Sequence, residues 1–151
     1  MTKGATKTAK SLKETSEIAK AFLEEILKKE NPTLGAFVVG LVGNLGAGKT
    51  SFFQETAKHF GIKGRISSPT FVIMKKYPIK NKKYDFVFHL DAYRLKNEAE
   101  LLHLGWEEII KDKRNLVFIE WPENVSKAMP KHTKYIHISD DKNKNKIFKF
   151  K

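Results

Sequence analysis

The stretch Gly43-Asn44-Leu45-Gly46-Ala47-Gly48-Lys49-Thr50 fills the spacing G-x-x-x-x-G-K-[ST] and directly follows an apolar run, Ala36 to Val42. This spacing constrains the fold more than any other feature of the chain. A polyphosphate is held by several backbone N–H groups turned inward around one concave turn, with no side chains in the way. Glycine reaches positive φ without steric cost, and its missing Cβ lets the backbone come close to an anion. A helix beginning near Lys49 would add the positive end of its dipole. Lys49 then offers a mobile cation, and the Thr50 hydroxyl offers a hard oxygen suited to Mg²⁺. The spacing therefore predicts a strand, a phosphate loop over Gly43, Asn44, Leu45, Gly46, Ala47, Gly48, Lys49, Thr50 and Ser51, and a helix with apolar positions at Phe52, Phe53, Ala57 and Phe60.

Uniformly apolar runs extend this into a fold class. Ala36 to Val42 and Leu116 to Ile119 have no polar face, as expected of strands covered on both sides by helices. The expected architecture is α/β and P-loop NTPase-like: a mainly parallel central sheet, flanking helices and one antiparallel hairpin. The hairpin is predicted from Phe71–Tyr77 and Tyr84–Asp91, which Asn81-Lys82-Lys83 separates. Glu14 to Lys29 has helical apolar spacing closed by Glu30-Asn31-Pro32, and two short helices should break at Gly105. Final strands are expected at Tyr135–Ser139 and Lys146–Phe150. Residues 1–13 read as a flexible basic leader, and 14–151 as a single domain.

Composition excludes some classes and leaves others open. There is no cysteine, hence no disulfide framework or thiolate metal site, and no run approaches the length of a membrane span, so a soluble cytoplasmic protein is expected. The net charge is +12, with lysines clustered at Lys75–Lys83 and Lys142–Lys151. Such clusters neutralise nucleic-acid phosphates or simply keep a surface solvated.

Two acids end apolar strands. In Leu116-Val117-Phe118-Ile119-Glu120 the carboxylate stands at the tip of a strand expected to be central, the Walker B arrangement in which an acid holds Mg²⁺ beside the phosphate loop. The strand ending at Asp91 alternates, placing Val87, His89 and Asp91 on one face, and ligands of α/β sheets sit at such strand ends. Glu120 is accordingly assigned to the metal with Thr50, and Asp91 to the attacking water or the metal's surroundings. Ser67-Ser68-Pro69-Thr70 is either a hydroxyl-capped turn or a loop that brings Thr70 to the terminal phosphate.

In order along the chain, the phosphate loop, Ser68-Pro69-Thr70, His89-Leu90-Asp91-Ala92-Tyr93-Arg94-Leu95 and Glu120-Trp121-Pro122 resemble the bacterial TsaE family, formerly YjeE. These are small P-loop ATPases needed for threonylcarbamoyladenosine formation in tRNA. The resemblance implies ATP and Mg²⁺ at one edge of the sheet, with Lys49, Asp91 and Glu120 as catalytic residues. It also implies docking onto a TsaB–TsaD heterodimer with tRNA nearby, where hydrolysis sustains turnover and TsaD carries out the transfer. Glu14-Thr15 looks like the family's first helix, where a threonine lies near the nucleotide, so Thr15 joins the candidate contacts. Asn44 departs from the family, which commonly has an acid after the first glycine. Two rivals share the loop. A small-molecule or nucleoside kinase needs an arginine-bearing lid, and arginine is confined to Arg65, Arg94 and Arg114. A non-enzymatic RNA-binding module would hold a backbone phosphate in the loop instead.

Overall fold

The computed structural model of the protein describes residues 4–29, 35–63 and 73–151. Among these, seven strands form one mixed sheet: β1 (Thr6–Ala9), β2 (Phe37–Val42), β3 (Met74–Pro78), β4 (Phe86–Asp91), β5 (Asn115–Glu120), β6 (Lys134–Asp140) and β7 (Lys146–Phe150). Their order across the sheet is β1-β7-β6-β2-β5-β4-β3. The four central strands, β6, β2, β5 and β4, run parallel. The predicted hairpin is present as β3 against β4. Antiparallel pairing also extends to the other edge, where β7 pairs with β6 and with β1.

Helix α1 (Leu12–Lys28) starts where Ser11 caps it, the hydroxyl accepting from Glu14 N–H at 3.2 Å. It buries Ile18, Ala19, Phe22, Leu23 and Ile26 along one face. Together with α2 (Lys49–His59) it covers one side of the sheet, where Phe22, Phe52, Phe53, Val39, Leu41, Phe118 and Phe148 share a core. The opposite side is covered by α3 (Glu98–Leu102), α4 (Trp106–Lys111) and a 3₁₀ helix (Pro122–Ala128), around Leu101, Trp106, Ile109, Val117, Ile119 and Val125. Gly105 separates α3 from α4 with φ of 86°, a conformation that glycine adopts without strain. Every residue of β5 is buried, as its lack of a polar face requires of a strand between β2 and β4. Fully burying each of Phe52, Phe53 and Phe118 contributes roughly 1.5–3 kcal/mol.

One expectation needs correction. Part of the supposed flexible leader is ordered: Thr6 to Ala9 pair with Lys149 to Lys146 as the edge strand β1, and Ser11 already caps α1. Three of its four residues are exposed, so it has no apolar alternation to announce it. Its order comes from hydrogen bonding to β7, a tertiary partner. The segments Glu30-Asn31-Pro32 and Ser67-Ser68-Pro69-Thr70 lie outside the described residues.

Candidate functional site

The C-terminal tips of β2, β4 and β5 converge where β2 runs into α2. Register sets Leu41 opposite Glu120 and Asp91 opposite Glu120, so Glu120 stands next to the strand that feeds the loop and Asp91 one strand further out. A cavity of about 330 Å³ opens there. It is lined by Leu45 through Ser51, with Asp91, Tyr93, Glu120 and Trp121 closing the other side. Such a volume falls at the lower end of small-molecule sites.

The loop's glycines fit its course. Gly46 has φ of 79° and Gly48 φ of 109°, values that strain any residue with a side chain. Gly43 is needed for a different reason, since a Cβ there would lie 2.5 Å from the Ile138 carbonyl oxygen of β6. From β7, two strands away from β2, Lys146 reaches across: its Nζ donates to the Gly46 carbonyl at 3.2 Å and pairs with Asp140 at 2.7 Å.

Lys49 is buried at the base of the cavity. Its Nζ donates to the carbonyls of Gly43 and Asn44 and lies 3.9 Å from the centroid of the Trp121 ring. Burial lowers its pKa, and the negative charges of Glu120, Glu123 and Asp91 work against that shift. Trp121 adopts a left-handed backbone conformation, φ 59°, which turns the chain out of β5 and brings its ring over the ammonium. Thr50 donates its hydroxyl to Glu120, at 2.9 Å from Oε2 and 3.2 Å from Oε1. Asp91 accepts from Tyr93 N–H at 2.9 Å, and burial raises its pKa.

The structure thus brings together Leu45, Gly46, Ala47, Gly48, Lys49, Thr50, Ser51, Asp91 and Glu120. Gly43 and Asn44 contribute through the carbonyls that hold Lys49 rather than by lining the cavity. Thr15 is not brought to it: this residue is buried in α1, its N–H bonded to Ser11 O. Thr70 lies outside the described residues. Sequence reasoning missed Tyr93, Trp121 and Lys146. The first two sit within the motifs quoted for the resemblance, but Lys146 carries no local signal, being separated from Gly46 by 100 positions.

A strand–loop–helix of this geometry at the tips of parallel strands defines an α/β protein of the P-loop NTPase-like class. Over residues 9–148 the chain matches the family model described as threonylcarbamoyl adenosine biosynthesis protein TsaE, and it belongs to the TsaE family. Among named relatives, the tRNA threonylcarbamoyladenosine biosynthesis protein TsaE of Rickettsia prowazekii is 40% identical over 117 residues, 77% of this chain and 73% of that one. Its namesake in Haemophilus influenzae is 32% identical over 119 residues, 79% of this chain and 72% of that one. The crystal structure of Bacillus subtilis YdiB superposes with a TM-score of 0.73 at 27% identity, covering 99% of this chain and 86% of that one.

Proposed function

We propose that the protein is the Mg²⁺-dependent, ATP-binding and ATP-hydrolysing component of the machinery that forms threonylcarbamoyladenosine in tRNA, a cytoplasmic protein working with a TsaB–TsaD heterodimer. Family membership supports the pathway. The observation that carries the chemistry is the Thr50 hydroxyl bonded to the Glu120 carboxylate, beside Lys49 and at the start of α2.

The residues fit both groups. Gly46 and Gly48 are bare of side chains on a tight turn at a helix N-terminus, which suits phosphate oxygens. Thr50 and Glu120 are hard oxygen donors, too few to cage a metal alone but suited to one shared with phosphates, as Mg²⁺ usually is. Bound there, Mg²⁺ would neutralise charge developing on the transferring phosphoryl group. Lys49 would exchange the carbonyls of Gly43 and Asn44 for phosphate oxygens. Asp91, raised in pKa by burial and adjacent to the metal-side acid, is suited to orient the attacking water. Among the described residues no helix is long and apolar enough to cross a membrane.

Calorimetric titration with ATP and Mg²⁺ tests the reading, and Lys49→Ala is expected to abolish tight binding. Unchanged affinity in that variant would sink it. Loss of ATP without an acceptor favours the ATPase over a kinase, and co-purification with TsaB and TsaD, with and without ATP, tests the assembly.

A further inference from the structure

We infer that His89 is a positioning residue for Glu120: its buried imidazole holds one carboxylate oxygen in place so that the acid meets the metal in a fixed orientation. This rests on the proposed metal-side role of Glu120 and assigns a task to a residue that the reading otherwise leaves unused.

His89 occupies a position on β4 where an apolar side chain would be expected. It is fully buried, paired in register with Phe118 of β5 and facing the core beneath α2. Burying an imidazole costs free energy unless its polar atoms find partners. Among the described residues it has one: Nε2 lies 2.7 Å from Glu120 Oε2, while Nδ1 has none. An ionised carboxylate can only accept, so Nε2 carries the hydrogen. The ring is held by stacking on Phe53, centroids 3.9 Å apart and planes 22° apart.

The result is a closed arrangement. Helix α2 contributes Thr50, which bonds Glu120 directly, and one turn further Phe53, which fixes the ring that bonds Glu120 from the other side. Oε2 takes both Thr50 at 2.9 Å and His89 at 2.7 Å, so Oε1, with Thr50 alone at 3.2 Å, keeps the spare acceptor capacity. A Thr50 hydroxyl that also faces a metal is a poor sole anchor for a carboxylate. The imidazole is an anchor that no ligand has to displace. Outer partners of this kind are worth about 10–100-fold in metal affinity.

The experiment measures the Mg²⁺ concentration needed for half-maximal binding of adenylyl imidodiphosphate, by calorimetry on the full chain. His89→Phe keeps a ring on Phe53 but removes the donor, and is expected to raise that concentration about tenfold or more. Affinity for the analogue in EDTA should stay within about twofold, because the phosphate cradle is untouched. His89→Gln restores an N–H near the Nε2 position and should recover most of the loss. In a Glu120→Gln background the addition of His89→Phe should change little, since the coupling runs through that carboxylate. Equal shifts in His89→Phe and His89→Gln, or an undiminished shift in the Glu120→Gln background, would mean that the ring merely fills the core and would overturn the inference. Long-range ¹H–¹⁵N correlation on the unmutated chain gives a check independent of any variant's folding: the Nε2–H tautomer is expected, and an Nδ1–H tautomer overturns the proposal. Unmutated protein that binds the analogue without regard to Mg²⁺ would defeat the metal reading and this inference with it. Normal Mg²⁺ dependence shared unchanged by His89→Phe would defeat this inference alone.

Discussion

The two acids at the strand tips differ in what holds them, and that difference predicts separate behaviour. Glu120 is fastened by Thr50 and His89, whereas Asp91 is held by the Tyr93 N–H within its own turn. Asp91→Ala is expected to lower kcat about 10²–10⁴-fold with ATP affinity largely kept. Glu120→Gln should raise the Mg²⁺ requirement as well. Steady-state kinetics across a Mg²⁺ series checks both, and the opposite pattern would exchange their roles. Tyr84 offers a test unconnected with the site. Its hydroxyl is buried without a partner among the described residues, and burial pushes its pKa up to about 12. The folded state therefore disfavours ionisation, so this contribution to stability is intact below the unfolded value near 10 and is lost as pH rises towards 12. Tyr84→Phe should flatten that alkaline loss in denaturant melts. At pH 7 it should be neutral or stabilising by up to about 1 kcal/mol, because an unsatisfied hydroxyl disappears.

At the level of elements, legibility followed how local the determinants were. The strand–loop–helix of β2 and α2 could be read because glycines, lysine and hydroxyl stand in one short stretch. Glu120 could be placed beside it because Leu116 to Ile119 are apolar on both faces, which only a central strand tolerates. Strand β1 could not be read: Thr6, Lys7 and Thr8 are exposed, and only Ala9 is buried. The contacts of His89 with Glu120 and of Lys146 with Gly46 depend on which strands are neighbours, and no residue spacing encodes that order. Removing residues 1–10 tests the worth of β1. It would uncover one edge of β7 and the pocket filled by Ala9, at a cost of about 1–2 kcal/mol. At about 2–4 °C per kcal/mol for a chain of this size, calorimetric melting should show the loss. An unchanged midpoint would mean that β1 contributes nothing to stability.

For the molecule as a whole, the proposed ATPase has its acids, lysine and hydroxyl in place, but among the described residues no arginine lines the cavity. An arginine finger is worth about 10³–10⁵ in phosphoryl transfer, so hydrolysis by the isolated chain should be slow and should rise when TsaB and TsaD are added. Equal turnover with and without them would refute this. The sheet order has a consequence in time. Of the seven described strands β7 is the last to be made, yet it lies between β1 and β6, sets Phe148 against Phe52 of α2 at 5.4 Å and Phe150 against Phe22 of α1 at 5.6 Å, and sends Lys146 to the Gly46 carbonyl. While the chain is still being synthesised, α1 and α2 therefore carry bare phenylalanines and the loop lacks its brace. A chain stopped at Asn145 should be cut by protease within α1 and α2 and should fail to retain ATP, whereas one carried through to Lys151 should resist. Completion of the proposed nucleotide site thus waits for β7, the last of the described strands, to leave the ribosome.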